Sequence, residues 1–480
     1  MAAAKKRSSQ SAPAAHRMEP TILREYDIRG VVDDTLREAD ALAIGRAFGT
    51  ILRRKGGRTV AVGRDGRLHS PRLRKALVQG LNESGVNVID IGLCATPMLY
   101  FAVFHLGVDG GVMVTGSHNP PDQNGFKMML GKKSFFGADI RRLGRLAQRG
   151  DFDRGRGKLK RRSVTAAYVA RVAGDYAPGR PLRIAWDVGH GAVGVSLPGV
   201  LEAMQRRDPR LVNHVLYANV DGRFPDHHPD PTVEANLADL KKLVRRERCD
   251  LGIAFDGDGD RIGAVDGKGR VLWGDQLLVL WAREVLSRKP GATIIADVKA
   301  SQVLFDEVAK AGGKPMMWKT GHSLIKSKMA AVGAPLAGEM SGHIFFADGW
   351  YGFDDALYAG IRLVNVLAAA ASDLAAMRDG LPQPLNTPEL RFACPEERKF
   401  AVVKEVKARL AKAGADYSDV DGVRVQTRDG WWLLRASNTQ AVLVARCEAA
   451  NAGGLARLQA DLAGQLAASG LSLPKESAAH

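Results

Sequence analysis

Apolar strands that run directly into glycine-rich or acidic loops recur along this chain, and this recurrence constrains the fold most strongly. Four such segments span residues 110–121, 183–194, 251–261 and 293–301. Helical stretches lie between strands, and such alternation is typical of a mostly parallel sheet covered by helices, with functional loops at the carboxyl ends of strands. The unequal spacing speaks against a solenoid, so we predict several related α/β domains.

The first of these segments ends in a loop that presents one hydroxyl. Gly116 allows a sharp turn, and Pro120 and Pro121 prevent an immediate helix, so Ser117 is held in a loop between polar neighbours. A serine held in this way can act as a nucleophile, although a turn that only satisfies its own backbone would have the same sequence. Three charged residues on an earlier loop are expected to orient it: Arg64, Asp65 and Arg67.

An acidic loop follows the strand of the third segment, with Asp256, Asp258 and Asp260 separated by glycines. Carboxylates at alternate positions can direct their oxygens at one hard cation, and three of them leave octahedral positions of Mg²⁺ open for water and a phosphate oxygen. An EF-hand is excluded, because its sixth position would be Arg261 instead of glycine and its twelfth Gly267 instead of glutamate. Three like charges repel without a cation, so a merely solvated acidic turn is the weaker interpretation.

Three further groups offer partners for a phosphorylated sugar. Lys127, expected to open a strand near Ser117, could move protons or hold a phosphate. Glu339 and Ser341 alternate, and on an extended segment they could bind vicinal hydroxyls. Buried structural groups and surface turns would look the same. One turn near the carboxyl end offers a guanidinium, hydroxyls and an amide suited to a phosphate: Arg435, Ser437, Asn438 and Thr439.

Four loops together resemble those of the α-D-phosphohexomutases, the phosphomannomutase/phosphoglucomutase superfamily. They occur in the family's order, and the resemblance extends from about residue 19 to about residue 471. The stretches that carry it are Thr115–Pro120, Asp256–Arg261, Gly338–His343 and Arg435–Thr439. The resemblance implies that Ser117 is carried as a phosphoserine and completes a Mg²⁺ site with Asp256, Asp258 and Asp260.

The same resemblance implies roles for residues that are weak signals alone. Lys127 and His343 become candidates for proton transfer, and Arg29 and Arg261 are expected to steady the phosphoserine. The residues implied to bind the substrate are Tyr26, His322, Glu339, Ser341, Arg435, Ser437, Asn438 and Thr439.

The family's fold implies three similar mixed-sheet α/β domains and a smaller C-terminal α+β domain around a central cleft. The composition shifts near residues 381–385, where the last domain is expected to begin. We therefore predict a disordered basic arm over 1–18, domain I with the phosphoserine loop over 19–163, domain II with the metal loop over 164–270, domain III with the sugar loop over 271–382, and domain IV with the phosphate loop over 383–480.

Charge and cysteine content bound the alternatives. Of the formal charge of +17, the arm holds +4 and residues 141–162 hold +8, the latter expected to be a helix end plus a solvated linker. Four scattered cysteines give neither a zinc site nor a disulfide framework, no apolar run is long enough to span a membrane, and the amino end lacks the apolar region of a secretory signal. We predict a cytoplasmic protein with no membrane partner, and we do not expect nucleic acid as a partner.

The resulting prediction is an isomerase that interconverts the 1-phosphate and 6-phosphate of mannose or glucose through a hexose 1,6-bisphosphate, as a monomer or dimer. Met340 between Glu339 and Ser341 resembles the bacterial phosphomannomutase/phosphoglucomutase branch, whereas phosphoglucosamine mutases tend to carry Gln there. Three alternatives stay open: a phosphoglucosamine mutase, a metal-dependent sugar phosphatase and a polyanion-binding protein.

Overall fold

A computed structural model describes residues 15–438 and 440–473. It contains four sheets, each belonging to one of four successive α/β domains, so the predicted fold class is confirmed. Residues 1–14 of the predicted arm lie outside the described residues. The end of that arm is packed on domain I, because the His16 amide donates to the Ala147 carbonyl and Met18 is buried.

Domain I is built on a seven-stranded sheet of order β1-β5-β4-β2-β3-β7, with β6 paired to β5. Its elements are β1 (Ile28–Val31), α1 (Glu38–Arg54), β2 (Thr59–Arg64), α2 (Ser70–Glu83), β3 (Asn87–Leu93), α3 (Thr96–Leu106), β4 (Gly110–Val114), β5 (Gln123–Leu130), β6 (Lys133–Ser134), α4 (Ala138–Arg149) and β7 (Leu159–Arg161). Strands β2, β3, β4 and β7 are parallel, and β1, β5 and β6 form the antiparallel edge. Strand β4 is buried throughout and leads into the serine loop.

Domain II has a five-stranded sheet of order β12-β11-β10-β8-β9, in which β8, β9 and β10 are parallel. Its elements are α5 (Thr165–Gly174), β8 (Arg183–Asp187), α6 (Leu197–Arg207), β9 (Val212–Leu216), α7 (Ala238–Arg246), β10 (Leu251–Phe255), β11 (Ile262–Asp266) and β12 (Val271–Leu272), with 3-10 turns at Ala192–Val195 and Glu234–Leu237. The fully buried β10 ends at the acidic loop.

Domain III has a four-stranded sheet of order β14-β13-β15-β16, with only β16 antiparallel. Its elements are α8 (Gly274–Arg288), β13 (Thr293–Asp297), α9 (Gln302–Lys310), β14 (Lys314–Trp318), α10 (His322–Val332), β15 (Leu336–Gly338), β16 (Ile344–Phe346), α11 (Ala356–Ala369) and α12 (Leu374–Asp379). The Asp355 side chain caps α11 by accepting from the Tyr358 amide, so an acidic residue begins this buried helix.

Domain IV is an antiparallel sheet of order β17-β22-β21-β20-β19, with β18 also paired to β22, covered by two helices. Its elements are β17 (Leu385–Asn386), β18 (Leu390–Ala393), α13 (Glu396–Lys412), β19 (Tyr417–Ser418), β20 (Val423–Thr427), β21 (Gly430–Ala436), β22 (Val442–Ala449) and α14 (Ala452–Ala467). Asn451 caps α14 by accepting from the Gly454 amide.

The hydrophobic cores divide the molecule unequally. One continuous core includes α3 of domain I, α6 of domain II and both α8 and α11 of domain III. Domain IV has a core of its own between its sheet and its two helices. A small cluster of Val298, Trp431 and Leu433 joins domain IV to domain III. Domains I to III are therefore packed as one body to which domain IV is attached.

The basic segment 141–162 differs in part from its prediction. All ten of its Lys and Arg residues are exposed, as expected of a solvated face, but its end forms the edge strand β7 beside β3. The two acids of the segment, Asp151 and Asp153, are both paired with Arg54. Over residues 15–438 and 440–473, no helix combines the length and apolar character needed to cross a membrane.

Candidate active site

Ser117 lies where domain I meets domain II. Its backbone has a φ of 51°, a left-handed conformation unusual for a residue with a side chain, and its side chain is buried. The Ser117 hydroxyl donates to Asp256 Oδ2 over 2.8 Å. The predicted serine loop and the predicted acidic loop, 139 residues apart in sequence, therefore meet at one hydrogen bond.

Arg67 holds the serine loop through the carbonyl groups of that loop. Its buried guanidinium donates to four carbonyl groups of that loop, those of Ser117, Asn119, Pro120 and Gln123. Asp65 Oδ2 accepts from the Gly116 amide over 3.1 Å and lies 3.4 Å from Arg67 Nε. The prediction that Asp65 and Arg67 orient the loop is confirmed, whereas Arg64 donates to the Asp65 carbonyl and supports it only indirectly.

Domain II covers the outer side of the same loop. His228 Nε2 lies 2.5 Å from the His118 carbonyl, and the ring of Phe224 lies 5.3 Å from the guanidinium carbon of Arg67. A Cβ atom added to Gly257 would lie 2.5 Å from the Ser117 carbonyl oxygen, so this approach requires glycine. The serine is thus fixed by contacts from both domains.

The three aspartates of the acidic loop are completely buried. Asp256 Oδ1 accepts the amides of Gly259, Asp260 and Arg261, which shapes the loop around it. Burial, together with the charges of Asp258 and Asp260, raises the pKa of Asp256 well above its usual value. Three carboxylates so close together repel unless positive charge lies between them.

The donor set of this loop fits a divalent cation. One oxygen from each aspartate lies within 4.8 Å of the others, and Asp258 Oδ1 and Asp260 Oδ1 are buried without a hydrogen-bond partner among the described residues. Buried carboxylate oxygens without a donor are costly, and hard cations such as Mg²⁺ prefer such ligands.

Lys127 lies beside these carboxylates. It lies inside β5, so the prediction that it opens a strand is wrong, because the pairing of β5 with β1 starts four residues earlier, at Gln123. Its ammonium lies 2.8 Å from Asp258 Oδ2 and also pairs with Asp260. Burial acts to lower the pKa of Lys127, but the two aspartates outweigh it and the pKa is raised. Lys127 is held charged.

His343 also lies beside the acidic loop, with its Nδ1 3.6 Å from Asp260 Oδ1. Its Nε2 accepts from Arg261 Nε over 3.0 Å, so the ring proton is assigned to Nδ1, which lies 3.0 Å from Asp354 Oδ2. The ring stacks on His322 with centroids 5.4 Å apart, and burial lowers the pKa of His322 well below its usual value. The structure therefore brings Arg261, His322 and His343 together.

The sugar-binding candidates Glu339 and Ser341 are adjacent, but not on an extended segment. Strand β15 ends at Gly338, and a turn follows in which the Gly342 amide donates to the Glu339 carbonyl. The prediction of an extended segment is therefore wrong, but the two side chains do lie on one side, because the turn brings Ser341 Oγ to 3.5 Å from Glu339 Oε2. Glu339 Oε1 is buried with no hydrogen-bond partner among the described residues, so it has a free acceptor.

Tyr26 connects domain I to domains III and IV, and Arg29 contacts the serine loop within domain I. The Tyr26 hydroxyl donates to the Thr320 carbonyl over 2.6 Å and accepts from Asn438 Nδ2 over 2.6 Å, so it touches domains III and IV at once. Arg29 donates to the Gly116 carbonyl and to Asn119 Oδ1, at 3.0 and 2.6 Å. Arg29 therefore lies on the serine loop, as its predicted role requires.

Arg435 and its loop form the wall contributed by domain IV. Arg435 is buried and donates to Asp421 Oδ2 over 2.9 Å, and the same oxygen accepts from the Thr320 amide of domain III. Ser437 Oγ accepts from the Gln440 amide, which closes the turn between β21 and β22. The predicted Thr439 lies outside the described residues.

Several residues around the cleft gave no recognisable sequence signal. Asp297, at the end of β13, accepts from both the Met340 amide and the Thr320 hydroxyl. Lys299 lies nearby and pairs with Glu389 over 2.9 Å. The apolar strand that precedes Asp297 was visible in sequence, but its long-range partners were not.

Family models cover most of the chain. The four models described as phosphoglucomutase/phosphomannomutase match in order: α/β/α domain I at residues 20–151, domain II at 166–269, domain III at 273–385 and the C-terminal domain at 389–465.

Individual relatives match along nearly their whole length. A phosphomannomutase/phosphoglucomutase of Pseudomonas aeruginosa is 43% identical, covering 97% of this chain and 99% of the relative. A phosphoglucomutase of Neisseria gonorrhoeae is 43% identical, covering 91% and 95%. The crystal structure of a phosphoglucomutase/phosphomannomutase family protein from Burkholderia thailandensis is 42% identical with a TM-score of 0.88, covering 96% of this chain and all of that one.

Proposed function

The chain belongs to the phosphoglucomutase/phosphomannomutase family, and from that premise we propose that it is a phosphohexomutase that interconverts hexose 1-phosphates and hexose 6-phosphates. The observation that carries this proposal is the contact between Ser117 Oγ and the buried acidic triplet, in a cleft whose far wall holds Arg435. Phosphoryl transfer needs a nucleophile, positive charge and a phosphate anchor, and this cleft offers a residue for each.

Ser117 carries the phosphoryl group in this proposal. In the first transfer the Oγ–P bond breaks and a new O–P bond forms on a free sugar hydroxyl. The proton of that hydroxyl passes to a nearby base, and Ser117 Oγ gains a proton. The resulting hexose 1,6-bisphosphate reorients, and its other phosphate returns to Ser117. The contacts of Arg67, Arg29 and His228 with the serine loop keep Ser117 Oγ in one place. The same oxygen can therefore donate the phosphoryl group in the first transfer and accept it in the second.

Asp256, Asp258 and Asp260 would hold Mg²⁺, with an oxygen of the phosphoserine as a further ligand. When bound, Mg²⁺ offsets negative charge on the transferred phosphoryl group. Lys127 pairs with Asp258, and Arg261 follows Asp260 in the chain and donates its amide to Asp256. Both residues add fixed positive charge beside the aspartates.

His343 is the better candidate to accept the proton of the sugar hydroxyl. Its Nε2, which carries no proton and accepts from Arg261 in this structure, would exchange that contact for the sugar hydroxyl and take up its proton, while Nδ1 stays on Asp354. Lys127, by contrast, is already protonated between two aspartates. Lys127 therefore serves as a positive charge and as a proton donor in the return transfer.

Domain IV would hold the phosphate that is not being transferred. Arg435, with the turn of Ser437, Asn438 and Thr439, offers charged and neutral donors, and Glu339 with Ser341 would bind sugar hydroxyls between the two phosphates. Because either end of the bisphosphate must reach Ser117, the same anchor has to accept both phosphates.

Coupled assays with glucose 1-phosphate, mannose 1-phosphate and glucosamine 1-phosphate test this function. We expect comparable turnover of glucose and mannose phosphates and poor turnover of glucosamine phosphate, because Met340 lies between Glu339 and Ser341. Preference for the amino sugar would instead indicate a phosphoglucosamine mutase. Release of inorganic phosphate without isomerisation would indicate a phosphatase and refute the proposal.

A further inference from the structure

One buried lysine, Lys399, binds the turn between β21 and β22. This turn presents the phosphate-binding candidates of domain IV. Lys399 lies in the first turns of α13, and its side chain is only 1% exposed. Its ammonium donates to the Ser437 carbonyl over 2.6 Å and to the Gln440 carbonyl over 3.0 Å. The third donor is used by Glu396, at 2.7 Å.

These contacts fix the direction of two peptide groups. In a trans peptide the carbonyl and the following amide point in opposite directions. Since the carbonyls of Ser437 and Gln440 point at Lys399, the amides of Asn438 and Ala441 point away from α13. Neither amide has a backbone acceptor among the described residues. Asn438 also reaches Tyr26 across the cleft, so this side of the turn faces the substrate.

We propose that Lys399 is a positioning residue that aims the amide donors of this turn at the phosphate held by domain IV. This inference rests on the proposed mutase function and adds a residue that does not itself touch substrate. A buried ammonium with two of its three donors on one turn is expected to resist movement, because releasing either carbonyl would leave a donor of the buried ammonium unpaired.

The test compares the full-length wild type with Lys399→Met, which keeps the length of the side chain and removes its donors. Lys404→Met is the matched control, because Lys404 lies on the same helix and is exposed. KM and kcat are measured for glucose 1-phosphate and glucose 6-phosphate at saturating glucose 1,6-bisphosphate, and glucose 6-phosphate binding is measured by calorimetry.

We expect Lys399→Met to raise both KM values and the calorimetric Kd about tenfold and to change kcat less than threefold. Lys404→Met should match the wild type. A folded Lys399→Met protein with wild-type KM and Kd, or with only kcat reduced, would overturn the proposal.

Two further results keep the experiment decisive. If Lys399→Met does not fold, Lys399→Gln takes its place, because it keeps one amide donor on a shorter side chain; wild-type KM and Kd in that variant would also overturn the proposal. A wild-type protein that binds glucose 6-phosphate without isomerising it would refute the proposed function and leave the comparison of Kd values intact.

Discussion

The serine loop and the phosphate turn of domain IV face the same cleft but are held very differently. The serine loop is tied by the four carbonyl contacts of Arg67, by Arg29, and by His228 from a second domain. The phosphate turn is held chiefly by Lys399 within a domain that has its own core. The difference indicates that the reacting oxygen needs one fixed position, whereas the anchor has to fit two different phosphates.

The largest effect should come from Ser117→Ala, which separates chemistry from binding. Without the hydroxyl that carries the phosphoryl group, we expect turnover to fall at least about a thousandfold, while glucose 6-phosphate binding stays within a few-fold of wild type because its donors lie elsewhere. Coupled assays and calorimetry measure the two quantities. Mass spectrometry of the wild type should find phosphate on Ser117, and phosphate only at other sites would contradict the assignment.

Removing one acidic ligand should act next most strongly. Asp258→Asn replaces a charged oxygen ligand and weakens the contacts with Thr96, Thr115 and Lys127, so we expect turnover to fall about a hundredfold or more and the Mg²⁺ requirement to rise. Titration of activity with Mg²⁺ after treatment with a chelator measures both effects. Full wild-type activity in excess chelator would show that no metal is needed.

Arg67→Met tests how rigid the serine loop must be. Four carbonyl groups lose their shared donor, and since displacement of about 1 Å in a reacting group can cost a hundredfold, we expect kcat to fall about a hundredfold with KM within about threefold. Steady-state kinetics measure both constants. The control is Arg72→Met, since Arg72 pairs with Asp33 at the surface. An Arg67→Met enzyme with normal kcat would remove the basis of the comparison.

Arg435→Ala tests the phosphate turn of domain IV instead of the serine loop, and it should have the smallest of these effects. Losing charged hydrogen bonds costs about 1.5 to 3 kcal/mol, so kcat/KM should fall about ten- to a hundredfold for the 1-phosphate and the 6-phosphate alike. Escape of the bisphosphate should make activity depend on added glucose 1,6-bisphosphate. The exposed Arg428→Ala serves as control. An effect on one substrate only would mean that domain IV binds one orientation.

The two loops also differ in how far sequence could predict them. The alternation of strands and helices, the serine loop and the loop of three aspartates were predictable because each is a local pattern, such as a buried strand followed by a loop of small and polar residues. The position of Lys127 inside β5 and the turn at Glu339 were not, since pairing with β1 and the contacts of Gly342 decide them.

The supporting residues were the least predictable. Lys399 lies 38 residues before Ser437, and His228 lies 110 residues after His118. A lone lysine in an amphipathic helix, or a histidine in a proline-rich loop, has the composition of an ordinary surface position. Their supporting roles depend on tertiary packing, of α13 against the phosphate turn for Lys399 and of domain II on domain I for His228.

The separate core of domain IV has a consequence for heat denaturation. Domains I to III share apolar contacts and should melt cooperatively. Domain IV has only a small apolar contact with them, around Val298, Trp431 and Leu433, and its other links are polar contacts and a short connection between α12 and β17. Loss of these contacts leaves the rest of the domain IV core in place. Calorimetry should therefore resolve two transitions, and a single melting temperature would describe neither part of the molecule.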